Sequence, residues 1–180
     1  ITDERKAKVD FSIPYYTSVQ YVIMPDDSDI VIKNANGSEY VVWEALAGKK
    51  IGTQLDTTGW IYTDGEVAEG GAIAGAEHKP FDNAQLAADA IGSMVDCVII
   101  DELPAQYIVS KNSGLKCVPL YYSGETDAED APVEEQYAIC VTKGNTELLN
   151  AINEVLRELL VKDSSGKTEI DKMVMKHMGF

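Results

Sequence analysis

The chain has 180 residues, a mass of 19.6 kDa and a formal net charge of −15 from 15 basic and 30 acidic side chains. Hydrophobic residues make up 45% of it, which argues against wholesale disorder. The acidic excess excludes a protein that holds a nucleic-acid backbone, since that requires clustered Lys and Arg, and disfavours binding to anionic membranes. The run of about 18 apolar residues that a membrane-spanning helix needs is also missing.

The predicted elements begin with a β-hairpin over residues 30–43, whose Asn36-Gly37 pair is typical of a tight turn. Alternating patterns then predict strands at Lys50–Gln54, Glu77–Phe81, Val95–Asp101 and Leu115–Leu120, and helices at Thr57–Glu69, Asp82–Ile91 and Glu102–Lys111. We expect Asp82 to cap the second helix and Gln85 to complete a capping box. This order predicts an α/β fold with a mostly parallel sheet and helices on both faces.

The last third of the chain reads as a loop followed by helices. Segment Gly124–Glu135 holds six acidic residues and no basic one, which predicts a solvated loop; the ligand spacing of a calcium-binding loop is absent. Asn145 is the predicted cap of a long helix with a wide apolar stripe, and a final helix begins near Thr168. We expect four apolar residues of the final helix to face inward, namely Ile170, Met173, Val174 and Met178.

Motifs for metal, redox or cofactor chemistry are not found. Cys97, Cys117 and Cys140 lie in apolar contexts without a CxxC spacing, so we expect buried thiols. His78 and His177 have no Cys or carboxylate at metal-ligand spacing. A P-loop, a dinucleotide fingerprint and a nucleophile elbow are all missing, and we therefore expect no metal and no cofactor.

Three polar features remain as candidates for a binding site. Arg5 lies near the start of the chain, where an Arg is usually solvated. The junction from Gln54 to Thr57 and Thr58 joins a strand to a helix, where N–H groups favour an anion; the alternative is a simple helix cap. Asp101 ends a buried strand, where ligands of α/β sheets bind, or else it caps the next helix. Together they suit a zwitterion, with the carboxylate held by Arg5 and the threonine turn and the amine by Asp101.

Five motifs in chain order resemble those of one family. They are I-T-x-x-R at 1–5, V-D-F-S-x-P-Y-Y at 9–16, L-x-G-K-K-I-G-x-Q at 46–54, T-T-G at 57–59 and V-D-x-V-I-I-D at 95–101. Their order is similar to that of the polar amino-acid substrate-binding proteins of ABC importers, solute-binding family 3, which have the two-lobed periplasmic-binding-protein-like type 2 fold. The resemblance extends from Ile1 to Gly179.

The resemblance implies a lobe arrangement and a location. Residues 1–25 would hold the end of lobe 1 and a hinge strand, residues 26–135 lobe 2, and residues 136–180 the return hinge strand and helices that pack on lobe 1. An amino acid would bind between the lobes as they close, and ABC permease subunits would recognise the closed form. The protein would be extracytoplasmic, either periplasmic or lipid-anchored at the cell surface.

The resemblance also implies residue roles. Arg5 matches the arginine that pairs with the ligand α-carboxylate, and Thr58 matches a threonine that donates to the same group. Asp101 matches the aspartate that holds the α-ammonium group. Gln54 ends the strand that lines the cleft, and Thr57 adds its hydroxyl to the turn.

Two departures from the family pattern affect these expectations. The family usually has Gly where this chain has Asp56, and a carboxylate there would oppose the ligand carboxylate unless it turned away. Family members also carry roughly 70 to 80 residues ahead of the position of Ile1, including the first strands of lobe 1. We therefore expect an N-terminally truncated relative that binds free amino acids weakly or not at all, and whose uncovered edges favour a homodimer or swapped assembly.

Two other functions use the same fold. A dehydratase of the prephenate, arogenate or cyclohexadienyl type would need a general acid, for which Glu102 is the local candidate. The ligand-binding domain of a membrane receptor or sensor is the other alternative. We predict a binding protein rather than an enzyme.

Overall fold

The computed structural model describes residues 1–35, 37–124 and 129–178. The helices and strands follow in the order α1 (Asp3–Lys8), β1 (Val9–Phe11), β2 (Tyr16–Pro25), β3 (Lys33–Ala35), β4 (Ser38–Val42), β5 (Lys50–Gln54), α2 (Thr58–Val67), β6 (Glu77–Phe81), α3 (Ala84–Asp89), β7 (Cys97–Asp101), α4 (Glu102–Lys111), β8 (Leu115–Tyr122), β9 (Ala131–Pro132), β10 (Glu134–Tyr137), β11 (Cys140–Thr142), α5 (Thr146–Leu159) and α6 (Glu169–Met178). A short 3-10 helix spans Trp43–Leu46. Within the described ranges, no helix is both long and apolar enough to cross a membrane.

The chain divides into two compact units. The first unit combines Ile1–Ser18 with Glu135–Phe180, and the second unit is Val19–Glu134. The first division falls inside β2, earlier than the boundary predicted at residue 25, and the second falls inside β10, close to the boundary predicted at residue 135. The identification of these units with two lobes stays a prediction.

The second unit is built on a mixed sheet with strand order β3-β4-β8-β2-β7-β5-β6. Strands β4 and β8 pair in parallel, and so do β5 with β6 and with β7. Strand β2 runs antiparallel to both β7 and β8, so that β4, β8, β7, β5 and β6 all point the same way. The predicted α/β fold with a mostly parallel sheet is confirmed, with β2 as the opposing strand.

Helices cover both faces of this sheet, as predicted. Successive residues of β7 belong to different clusters, because side chains alternate along a strand. Cys97 and Ile99 pack in the cluster that contains Trp43 and the 3-10 helix, whereas Val98 and Ile100 pack with residues of α3 and α4. Strand β7 is therefore buried on both sides, which explains its continuous apolar sequence.

The start of α3 differs from the prediction. Asn83, not Asp82, caps the helix, and its Oδ1 accepts a hydrogen bond of 2.9 Å from the backbone N–H of Leu86. The amide of Gln85 donates to Asp89 at 2.8 Å and forms no capping box. The prediction was wrong by one residue, since two adjacent residues are both good caps and the local sequence does not separate them.

The predicted hairpin is confirmed by the antiparallel pairing of β3 with β4, in which Ala35 faces Ser38. Of the predicted turn residues, Gly37 has a φ of +84°, which glycine adopts without a steric penalty. Asn36 lies outside the described residues.

The acidic segment is not wholly solvated. The carboxylate of Asp130 accepts hydrogen bonds of 2.8 Å from both Lys33 Nζ and Tyr40 Oη, and a third from the backbone of Gly124 at 3.0 Å. These donors, Lys33 first, lower the pKa of Asp130 to about 2. Glu135 is buried as well. The prediction of a solvated loop was wrong for these two acids, and for Asp130 the reason is its contacts with Lys33 and Tyr40, which are distant in sequence. Residues 125–128 lie outside the described residues.

The first unit pairs β1 with β11 in antiparallel register and also contains α5. The predicted cap of α5 is confirmed, because Asn145 Oδ1 accepts from the N–H of Leu148 at 3.3 Å. Ile13 N–H donates to Asn153 of α5 at 2.8 Å. Among the described residues of this unit, the buried hydrophobic side chains are Val141 and Leu156.

Much of the apolar surface in the first unit is exposed. Leu148 and Val155 of α5 are 48% and 55% exposed. Met173 of α6, predicted to face inward, is 47% exposed, so that prediction was wrong. Helical periodicity identified the apolar stripe, but periodicity does not show whether another element covers it.

The three thiols differ in environment. Cys97 is buried, which raises its pKa to about 12, and Cys117 is partly buried, which raises its pKa to about 11. Cys140 is exposed at the start of β11. The expectation of a buried thiol was therefore wrong for Cys140, whose short strand is covered on only part of its surface.

Candidate functional site

A strand-to-helix turn links β5 to α2 in the second unit. Thr57 caps α2: its Oγ1 accepts from the N–H of Trp60 at 3.2 Å and donates to the carbonyl of Gln54 at 2.7 Å. Thr58, the first residue of the helix, is buried. Within the described part of the chain, the N–H groups of Thr58 and Gly59 have no hydrogen-bond partner. They leave the positive end of α2 available to an anion.

The turn contains an unusual backbone conformation at Asp56. Among the described residues, Asp56 is the non-glycine residue with a positive φ, at +62°. This conformation costs most L-residues about 1–2 kcal/mol, and Asp is one of the few that tolerate it. The conformation gives a physical reason for the Gly that the family resemblance implies at this position.

Asp101 lies at the end of β7, next to the turn. Strands β5 and β7 are parallel neighbours, with Thr53 opposite Ile99, so their carboxyl ends lie at one edge of the sheet. The Oδ1 of Asp101 accepts a hydrogen bond of 2.5 Å from Gln20 Nε2. Asp101 precedes α4, but its side chain makes no capping hydrogen bond to the described residues of that helix. The carboxylate is therefore not committed to a helix cap.

Gln20 also contacts the first turn of α2. A Cβ atom added to Gly59 would lie 2.7 Å from Gln20 Oε1 and 3.3 Å from the carbonyl oxygen of Ile99. The fully buried Gln20 thus lies between the turn and Asp101. None of the sequence motifs indicated this residue as part of the site. The only available signal was a polar side chain in a strongly apolar strand.

Arg5 is the one predicted site residue that lies in the first unit. It belongs to α1, whose cap Thr2 accepts from the N–H of Arg5 at 3.3 Å. The side chain is half-buried. Lys143 ties this helix to the unit by donating to the carbonyl of Lys6 at 2.6 Å. The structure brings the other four predicted residues to one sheet edge of the second unit.

A second polar cluster lies beneath α2. Thr53 Oγ1 is 2.8 Å from His78 Nε2, and His78 Nδ1 is 3.6 Å from Asp64 Oδ1. Burial lowers the pKa of His78, and the interaction of the ring with the Asp64 carboxylate opposes that shift. Thr53 is fully buried, so a substrate cannot reach its hydroxyl. We interpret the cluster as a structural link among β5, β6 and α2, which sequence analysis missed because the three residues are far apart in the chain.

The described residues contain no group of three His, Cys, Asp or Glu side chains that could hold a metal ion. Glu102, the candidate general acid, begins α4 and accepts from Gln106 Nε2 at 3.3 Å and from Tyr21 Oη at 3.5 Å. Burial, followed by the charge of Glu102, raises the pKa of Tyr21 to about 12.

Comparison with known proteins identifies similar chains. The L-cystine-binding protein TcyJ of Escherichia coli (strain K12) is 26% identical over 162 residues, which cover 88% of this chain and 52% of that protein. Holo ArgBP from T. maritima has a TM-score of 0.69 and 31% identity, and the match covers 98% of this chain and 65% of the ArgBP chain. An ancestral arginine-binding protein bound to arginine has a TM-score of 0.72 and 30% identity. This match covers 98% of this chain and 66% of the ancestral protein.

This chain therefore spans about half the length of the curated relative and about two thirds of the solved relatives. The model of one family matches residues 1–177, nearly the whole chain. The match confirms the resemblance found in the sequence motifs. The chain belongs to the bacterial extracellular solute-binding proteins, family 3.

Proposed function

We propose that this chain is the amino-acid-binding part of a substrate-binding protein that serves an ABC importer, and that it binds its ligand without catalysis. The observation that carries the proposal is the sheet edge at which the start of α2 adjoins Asp101. A helix N-terminus favours a carboxylate and an aspartate favours an ammonium group. The α-carbon of an amino acid carries these two groups together.

Each residue has a proposed role. The N–H groups of Thr58 and Gly59, with the Thr58 hydroxyl, donate to the ligand carboxylate, and Arg5 adds a charge-assisted contact. Asp101 accepts from the ammonium group. The Thr57 hydroxyl is already used between Gln54 and Trp60, so Thr57 acts by shaping the turn. Gln54 supplies the carbonyl oxygen that anchors it.

Transport follows from ligand-dependent closure. Contacts that the ligand makes in both predicted lobes stabilise a closed form over an open one, and permease subunits recognise the closed form. This role places the protein outside the cytoplasm, as the family's description as extracellular supports. Relatives named for arginine and for cystine support an amino acid as the ligand class.

Titration of the ¹⁵N-labelled chain with L-arginine, followed by NMR, tests the proposal and detects weak binding. We expect saturable shifts of the amide signals of Thr58, Gly59 and Glu102. Asp101→Asn should abolish them, while the control Asp89→Asn, at an exposed site on α3, should leave them unchanged. A folded wild-type chain whose signals at this edge respond to no amino acid would refute the proposal.

A further inference from the structure

We propose that Gln20 is a positioning residue that fixes the Asp101 carboxylate for an α-ammonium group, and that Gly59 provides the space for it. The inference rests on the proposed function and adds a determinant of specificity to the same site. Gln20 touches Asp101, and we assign it no contact with the ligand.

The backbone places the two side chains together. Gln20 and Asp101 are register partners in the antiparallel pair of β2 and β7. Facing residues of such a pair have side chains on the same side of the sheet and within contact distance. The 2.5 Å contact uses one acceptor position of Asp101 Oδ1. A carboxylate has about four such positions, so this contact uses only part of its capacity to accept hydrogen bonds.

The amide of Gln20 has one orientation that fits this environment. A carboxylate only accepts hydrogen bonds, so the NH₂ group of Gln20 must face Asp101. The Oε1 atom then faces Gly59, where an added Cβ would approach to 2.7 Å. Because Gly59 has no side chain, the Gln20 amide fits beside it. The amide thereby connects the first turn of α2 to the end of β7. The carboxylate-binding and ammonium-binding parts of the site are held at a fixed spacing.

The chemistry of glutamine suits this task. Its amide is neutral, so it orients the Asp101 carboxylate without neutralising its negative charge. A Lys or Arg at the same position would orient Asp101 but would also neutralise it and compete with the ligand. The arrangement therefore selects ligands that carry an α-ammonium group over otherwise identical acids that lack it.

The ligand test compares two probes, L-arginine and its deaminated counterpart 5-guanidinopentanoate, by NMR titration of the whole chain. The wild type should bind L-arginine more tightly than the deaminated acid. Gln20→Met, which keeps the volume and removes the donor, should weaken L-arginine binding about 10-fold and leave the deaminated acid unaffected. The control Gln106→Met, which removes a donor to Glu102, should change neither affinity.

A second measurement needs no ligand. The side-chain NH₂ signals of Gln20 should exchange slowly with solvent, and Asp101→Ala should shift and expose them, whereas Asp89→Ala should not. If Asp101→Ala leaves those signals unchanged, or if Gln20→Met weakens both probes equally, the inference is wrong while the proposed function stands. If the wild type binds neither probe, both are wrong.

Discussion

Two glycines of helix α2 differ in their surroundings, so the same Gly→Ala substitution should change stability differently at the two positions. A Cβ at Gly59 would lie 2.7 Å from Gln20 Oε1 and 3.3 Å from the Ile99 carbonyl oxygen. A Cβ at Gly65 would have no other atom within 4 Å. Both residues are within one helix, so Gly→Ala brings the same gain in helix propensity of about 1 kcal/mol at each site.

The net effects follow from adding the packing cost. Overpacking in a tight interior costs about 1–3 kcal/mol, so Gly59→Ala should leave the free energy of unfolding near the wild-type value or lower it by up to about 2 kcal/mol. Gly65→Ala pays no such cost and should raise the free energy of unfolding by about 0.5–1 kcal/mol. The propensity gain is common to both variants, so we expect a separation equal to the packing cost, about 1–3 kcal/mol.

Urea unfolding followed by tryptophan fluorescence measures this difference. The two tryptophans, Trp43 and Trp60, both lie in the second unit, so the signal reports on the unit that holds both glycines. Equal stabilisation by Gly59→Ala and Gly65→Ala would contradict the packing of Gln20 against α2. It would also remove the spacing argument that connects the two halves of the proposed site.

Three further predictions test local features of the second unit. Burial lowers the pKa of His78 in the folded state, so below about pH 6.5 the unfolded state binds more protons and the free energy of unfolding should fall as the pH falls. His78→Gln should flatten this part of the pH profile, measured by urea melts. An unchanged slope would contradict a buried neutral ring. Asn83→Ala should cost about 1 kcal/mol through loss of the α3 cap, whereas Asp82→Ala should be nearly neutral, and the reverse order in thermal melts would favour the sequence-based cap. The pKa of Asp130 is lowered to about 2, so its contribution to the free energy of unfolding is present above about pH 4 and lost between about pH 4 and 2. Asp130→Asn should remove that acid sensitivity. Acid unfolding curves identical to those of the wild type would refute the contact with Lys33.

Much of the second unit was predictable from local sequence. Strands β5 and β6 and helix α4 have the predicted bounds, because periodicity, β-branched runs and helix-compatible segments alternate clearly there. That alternation also predicted the mostly parallel sheet. The pairing of β2 between β7 and β8 did not, since an apolar strand carries no local mark of which strands it will join.

The candidate site shows the same division. The positions of Thr57, Thr58 and Asp101 in the fold were predictable, because a strand-to-helix junction and a strand end are local features. The contact between Gln20 and Asp101 depends on the register of β2 with β7, which joins residues far apart in the sequence. The capping alternative for Asp101 was equally compatible with the sequence, and only the side-chain geometry excluded it.

The most direct test of the central claim is the measurement of intermolecular nuclear Overhauser effects between the chain and isotope-labelled L-arginine. If the turn at the start of α2 holds the ligand carboxylate, the α-proton of L-arginine should show effects to the amide protons of Thr58 and Gly59. Effects confined to another surface, such as the cleft lined by Tyr40 and Tyr121, would contradict the assignment of this sheet edge as the amino-acid site.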